Sequence, residues 1–117
     1  MALIRLKWHE HPAPPHHELR QKRVLDSEGS VVGTVVNLYV EEQSRQLRFL
    51  DVLTSDFVGL ERKHHLIPIE AVIEEDPGSI TLGVDQETVQ RSPAFPNPHV
   101  VPEEEYQRTI CEHYGYA

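Results

Sequence analysis

Short apolar runs separated by turn residues occupy the chain from Val24 to Val84, and this pattern constrains the fold more than any other sequence feature. Such runs are typical of short strands in a small sheet or barrel. The segment from Asp26 to Ser30 predicts the first hairpin, because an Asp side chain can bind turn amides and Gly29 can adopt a positive φ. We therefore expect a mainly β fold.

The longest predicted strand covers residues 31–40. Its alternation places Val36, Leu38 and Val40 on one face. Gly33 interrupts this run, and a glycine inside a strand indicates a bulge or a sharp bend. Such a bend suits the curvature of a closed barrel.

Three further features continue the pattern. The apolar residues over 47–53 do not alternate, so this strand is expected to be buried on both faces. Pro68 has no amide donor and is expected at an edge, a strand start or a bulge. The turn over 76–78 predicts a second hairpin with Gly78 at positive φ, and Asp85 can cap a short helix.

A proline-rich segment precedes the predicted strands. Residues 9–17 contain three prolines and cannot run through a helix interior or a central strand. Before them, Ile4, Leu6 and Trp8 alternate with charged residues. We expect this arm either to add an edge strand or to dock on a neighbouring molecule.

The last segment is predicted to be helical. Four prolines over 92–102 indicate an extended connector across the surface. Pro102 suits the first position of the helix and Gly115 suits its end. The apolar stripe of this helix, which must dock on something, contains Tyr106, Ile110 and Tyr114.

In order and spacing, these segments resemble the PRC-barrel family, named for the cytoplasmic part of the photosynthetic reaction-centre H subunit. The resemblance covers about residues 22–96 and lies in VLDSEGSVVGTVVNL at 24–38, LRFLDV at 47–52, LIP at 66–68 and VQRSPAF at 89–95. A related barrel forms the C-terminal half of the ribosome maturation factor. The resemblance implies a small, strongly bent antiparallel β-barrel.

We accordingly predict a mainly β chain with such a barrel, a C-terminal helix and an extended Pro/His-rich N-terminal arm. The predicted segments are the arm at 1–21, the PRC-barrel-like domain at 22–96, and the connector with the helix at 97–117. The hairpin motif of the barrel, which we interpret as backbone geometry, consists of Asp26, Gly29, Gly33 and Pro68.

Charge and cysteine content argue against several classes of function. The chain has 11 Lys and Arg against 19 Asp and Glu, giving a net charge of −8. A nucleic-acid partner is not expected, because phosphate binding needs a dense basic patch. Cys111 is the single cysteine, so no intramolecular disulfide can form and the cytosol is the expected compartment. No apolar stretch approaches the length of a membrane span.

Eight histidines invite a metal-site hypothesis, but a Pro-rich tail supplies few contacts that would hold ligands in place. We therefore expect no specific metal site and no cofactor. The sequence contains no Gly-x-Ser-x-Gly elbow, P-loop or dinucleotide fingerprint, so we expect no enzyme. The histidines are His9, His11, His16, His17, His64, His65, His99 and His113.

The sequence thus favours a soluble, non-enzymatic interaction module with a protein partner of unknown identity. Two alternatives stay open: a histidine-rich accessory protein that handles metal, as its imidazoles would allow, or protons, as the resemblance to the H subunit implies, and a ribosome-assembly accessory, as the resemblance to the maturation factor implies. The H subunit has a membrane helix and the maturation factor has a further N-terminal barrel. Neither feature is expected here, so neither function transfers automatically.

A homodimer is also predicted, because a small barrel buries limited apolar surface and exchange of an arm is a low-cost route to a pair. The competing outcome is a monomer in which arm and helix dock on their own barrel. The possible oligomer contacts are Ile4, Leu6, Trp8, Tyr106, Ile110 and Tyr114.

Overall fold

The computed structural model describes residues 2–16, 18–54 and 62–116. Within these ranges the chain is mainly β, with a helix near its C-terminal end, as predicted. The strands are β1 (Leu3–Arg5), β2 (Arg23–Leu25), β3 (Val31–Glu41), β4 (Leu47–Thr54), β5 (Lys63–Pro68), β6 (Val72–Glu75) and β7 (Ser79–Leu82). A 3-10 helix spans Ile69–Ala71, and the α-helices are α1 (Gln86–Arg91) and α2 (Glu104–Tyr114).

The strands form one sheet in the order β5-β4-β3-β2-β7-β6, with β1 added beside β3. Strands that follow each other through short turns pair antiparallel, but β2 and β7 pair parallel, with Val24 opposite Ile80. The prediction of a wholly antiparallel barrel is therefore wrong. Turn chemistry fixes only the direction of strands adjacent in sequence, whereas β2 and β7 meet after four intervening strands.

The sheet curls into a half-barrel. Strands β5 and β6 end the strand order, and no ladder joins them within the described residues. The outer edge of β5 is covered by the connector, where the Phe95 amide donates to the His64 carbonyl at 2.8 Å. A backbone cover of this kind satisfies an edge strand without closing the barrel.

Bulges explain where the predicted alternation of β3 fails. Val35 lies opposite Val52 and Asn37 lies opposite Asp51, so Val36 is the extra residue between them. Val35 is buried and Val36 is only half-buried, which corrects the face predicted for Val36. Leu38 and Val40, by contrast, are buried.

Gly33 marks a close approach of two strands. A Cβ at this position would lie 2.2 Å from the Leu53 carbonyl oxygen of β4. The pairing of β2 with β3 also shifts register beside it, between Val24 and Leu25. The glycine thus permits the bend because no side chain separates the two backbones.

The first hairpin forms over the predicted turn. Asp26 is buried, and its Oδ1 accepts the amides of Glu28 at 2.9 Å and Ser30 at 2.8 Å, while Gly29 has φ 86°. Its Oδ2 accepts the amide of Gln86 at 2.9 Å, at the start of α1. One carboxylate therefore joins the hairpin to the helix.

Several end positions differ in detail from the predictions. Gly78 is not among the described glycines with positive φ, so the predicted type II geometry is wrong although the hairpin forms. Asp85 caps α1 by accepting the Thr88 amide at 2.9 Å. Helix α2 begins at Glu104, two residues later than expected from Pro102, and ends at Gly115 with φ 86°.

The N-terminal segment folds back on its own sheet instead of extending. Strand β1 pairs with the far end of β3, and the Leu6 amide donates to the Leu38 carbonyl at 2.9 Å. Leu3 and Leu6 are buried, Ile4 is half-buried, and Trp8 is 88% exposed. The single apolar face expected from alternation therefore does not form.

The stripe of α2 also docks within the chain. The helix packs against β5, where Ile110 and Tyr114 are buried. Tyr106 is half-buried and stacks on Phe95 with the ring centres 5.8 Å apart. Phe95 of the connector thus contacts both Tyr106 of this helix and Tyr39 of β3.

Candidate functional site

The histidines do not converge. Within the described ranges, no group of three or more His, Cys, Asp or Glu side chains could hold a metal ion. Instead, His11 lies 3.3 Å from Glu18 and His16 lies 2.9 Å from Glu75. His17 lies outside the described residues.

Adjacent histidines of β5 point to opposite faces of the strand. His64 Nδ1 lies 2.8 Å from Asp51 Oδ1, whereas His65 Nδ1 lies 2.9 Å from Ser92 Oγ. A Ser-His-Asp relay needs one imidazole between the hydroxyl and the carboxylate. Here the hydroxyl and the carboxylate belong to different histidines, so this arrangement cannot activate Ser92.

The Ser92 hydroxyl is already committed. Ser92 Oγ donates to the Val89 carbonyl at 2.7 Å, so its proton is used and His65 Nδ1 donates to it. Burial lowers the pKa of His65, with further contributions from Lys63, His113 and His64. The buried imidazole is therefore held neutral as a structural donor.

Asp51 forms a second closed polar cluster. It is fully buried on β4, and its Oδ2 accepts the Asn37 side-chain amide at 2.9 Å while Oδ1 faces His64. Burial, together with the Asp51 charge, raises the pKa of Tyr39 to about 12. Sequence reasoning missed this cluster, although a carboxylate inside an apolar strand was its signal.

In contrast to these buried polar clusters, an exposed apolar surface lies where the arm meets the connector. Trp8 is 88% exposed, Val100 55% and Val101 40%. Trp8 and Val101 line one cleft of about 560 Å³. Val101 also lines an adjoining cleft of about 350 Å³ together with Val100 and Glu103.

Charge is divided across this surface. Among the described residues that line the Trp8 cleft are Arg5, Lys7, His9 and His99, and none is acidic. The adjoining cleft, which shares Val101, is lined by Glu103, an exposed residue at the start of α2. We call the Trp8 surface the group formed by Trp8, Val100, Val101, Arg5, Lys7, His9, His99 and Glu103.

Trp8 is held on a fixed turn. The Glu10 amide donates to the Lys7 carbonyl at 2.9 Å, and Glu10 Oε1 accepts the Lys7 amide at 2.9 Å. The Arg20 guanidinium donates to the Lys7 carbonyl at 2.9 Å and also to the Glu10 carbonyl. These hydrogen bonds from the guanidinium hold the turn in one conformation, so the indole is exposed on an ordered backbone.

The connector is held beside the Trp8 turn by hydrogen bonds. Arg5 Nη1 donates to the Pro98 carbonyl at 3.1 Å, and the Tyr39 hydroxyl donates to it at 3.2 Å. Residues from the two ends of the chain therefore meet in one surface. The sequence gives each partner separately, but only the fold brings position 5 beside position 98.

Comparison with known families assigns most of the chain to one family. Residues 15–89 match the model of the family described as PRC-barrel domain. No curated protein matches the chain. Within the described residues, no helix is long and apolar enough to cross a membrane. All members of the Trp8 surface lie outside the matched segment, in the parts that flank it on either side.

Proposed function

The chain belongs to the PRC-barrel family, and from this premise we propose that it is a non-enzymatic interaction module that binds a protein partner through the Trp8 surface. The observation that carries this proposal is the 88% exposure of Trp8 on a hydrogen-bonded turn. Large aromatic side chains and Arg are typical of the central contacts of protein interfaces.

The division between barrel and flanks supports the same function. The matched segment supplies strands β2 to β7 of the sheet, and both flanking segments supply the exposed apolar and charged groups. A rigid scaffold that presents variable segments is a common way to build a binding site. The barrel is therefore the support, and the flanks carry specificity.

The polar clusters support a non-enzymatic role. Asp51 is bound by Asn37 and His64, and Ser92 is bound by His65 and the Val89 carbonyl. Each of these groups is engaged in holding strands or helices together instead of being available for acid-base chemistry. Neither alternative, metal or proton handling and ribosome assembly, gains a specific observation among the described residues.

Self-association as a homodimer in the cytosol is part of the proposal. Three of the predicted oligomer contacts, Leu6, Ile110 and Tyr114, are buried in their own chain. Trp8 is the one that is almost wholly exposed, so the proposed contact centres on it. Closed two-fold pairs are the commonest soluble oligomers.

The test compares capture of partners by immobilised wild-type protein and two variants. Trp8→Ala removes the indole, and Ile73→Ala, at a side chain 68% exposed on β6, is the matched control. A partner retained by wild type and Ile73→Ala but lost by Trp8→Ala supports the proposal. Equal retention by all three proteins contradicts it.

A further inference from the structure

We infer that the Trp8 surface is complementary to itself, and that its partner is a second copy of this chain related by a two-fold axis near Val101. This inference deepens the proposed function and rests on it. The juxtaposition that carries it is a pair of clefts that share Val101, one lined by Arg5 and Lys7 without any acidic residue and the other lined by Glu103 at the start of α2.

A two-fold axis places the basic side of one copy against the acidic side of the other, which is an attractive arrangement. In such a pair each patch meets the same patch of the partner, with its two sides exchanged. The Lys7 and His99 side then faces the Glu103 side of the other copy, twice. Each copy carries a net charge of −8, so random approach is repulsive and this local match selects one orientation.

The apolar part of the surface has a suitable size. A Trp side chain buries on the order of 200 Å², and symmetry doubles this contribution. Two indoles thus supply about 400 Å² of the roughly 1,000 Å² that a specific interface needs. Val100 and Val101 extend the same patch beside the axis.

An unrelated acidic partner fits the surface less well. It would use the basic cleft alone and leave Glu103 facing a negative surface. A second copy satisfies both signs at once. The two possibilities therefore differ in whether Glu103 contributes to binding.

The experiment is a charge exchange followed by sedimentation velocity over a dilution series. One variant carries Lys7→Glu and His99→Glu, which spares Arg5 because Arg5 anchors Pro98. The other carries Glu103→Lys and Glu105→Lys at exposed positions. The control for this second variant carries Glu28→Lys and Glu74→Lys, which make the same change of net charge at exposed positions elsewhere.

We expect wild type and the control to form dimers, and each exchange variant to dissociate at least tenfold more readily. Mixing the two exchange variants in equal amounts restores the dimer, because both contacts between them are again of opposite sign. Trp8 is the single tryptophan, so its emission shifts to shorter wavelength as the dimer forms. Circular dichroism verifies that each variant is folded, and Trp8→Ala provides a dissociating variant that leaves the charges intact.

Different experimental outcomes would contradict the inferred two-fold contact and the proposed function. A wild-type dimer that neither exchange variant weakens lies on another surface, which overturns the inference and leaves homodimerisation standing. Weakening by the basic-side variant alone, or folded variants whose mixture stays monomeric, also overturns it. A wild-type monomer at all concentrations overturns both the inference and the homodimer, whereas the capture test with Trp8→Ala still decides the interaction module.

Discussion

His64 Nδ1 lies 2.8 Å from Oδ1 of Asp51, a carboxylate that is fully buried in the middle of β4. The same carboxylate accepts the Asn37 amide, so three neighbouring strands share one buried charge. A buried carboxylate is stable only when its oxygens are occupied by donors. This contact therefore ties the order β5-β4-β3 to a specific register.

Asp51→Ala is expected to destabilise the fold by about 2 kcal/mol, because Asn37 and His64 lose their acceptor in a partly buried place. The measurement is urea unfolding monitored by circular dichroism. Glu74→Ala, at an exposed position, is the control and should change stability by less than about 0.5 kcal/mol. An Asp51→Ala protein as stable as this control would contradict the assigned role.

Gly33→Ala is expected to cost about 3 kcal/mol, since the new Cβ would lie 2.2 Å from the Leu53 carbonyl oxygen and one backbone must move. Gly78→Ala is the matched control, because nothing lies within 4 Å of a Cβ there. Thermal unfolding of the two variants compares them directly. Equal melting temperatures would show that the β3–β4 approach is not tight.

Asp26 is expected to make stability depend on acid pH. Burial alone would raise its pKa, but the amides of Ser30, Gln86 and Glu28 outweigh burial and lower it below 3.8. The folded state therefore binds its proton less readily than the unfolded state. The stabilisation is present above pH 3.8 and is lost as pH falls through the folded pKa.

The measurement for Asp26 is the free energy of unfolding of wild type and Asp26→Asn between pH 7 and pH 2. The difference between the two proteins should be about 2 kcal/mol at neutral pH and should shrink below pH 3.8. A difference that stays constant over this range would refute a lowered carboxyl pKa.

His65 is expected to add a second pH dependence, at higher pH. Burial lowers its pKa from 6.5, so the unfolded chain takes up the proton first as pH falls. Stability should therefore decrease as pH drops below 6.5 and level off below the folded pKa. In His65→Gln this part of the slope disappears, and an unchanged slope in that variant would count against the burial argument.

Leu6 and Trp8 are expected to differ sharply in their effect on stability. Leu6→Ala should cost about 2 kcal/mol, because Leu6 is buried against β3. Trp8→Ala should change the stability of the monomer by less than about 0.5 kcal/mol. If the cost of Leu6→Ala depended on protein concentration, the arm would be docked on a partner and not on its own sheet.

The mainly β class and several local elements could be predicted from the sequence. Asp26 and Gly29 define the first hairpin, Asp85 caps α1, and Gly115 ends α2, because each of these signals acts over only a few residues. The resemblance to the PRC-barrel family is likewise carried by segments whose order and spacing can be read directly. The sequence by itself thus determined the elements and the family.

The tertiary structure decided how those elements meet. The parallel pairing of β2 with β7, the bulge at Val36, and the partners that His64 and His65 find on their two faces depend on which backbone edges and faces remain free once neighbouring hairpins have formed. The Trp8 surface is a stronger case, since it joins positions about ninety residues apart, as in the Arg5 contact with Pro98. No local sequence pattern specifies a contact between residues so far apart in the chain. Such long-range contacts depend on the total surface that the fold buries and on the hydrogen-bond donors that it satisfies.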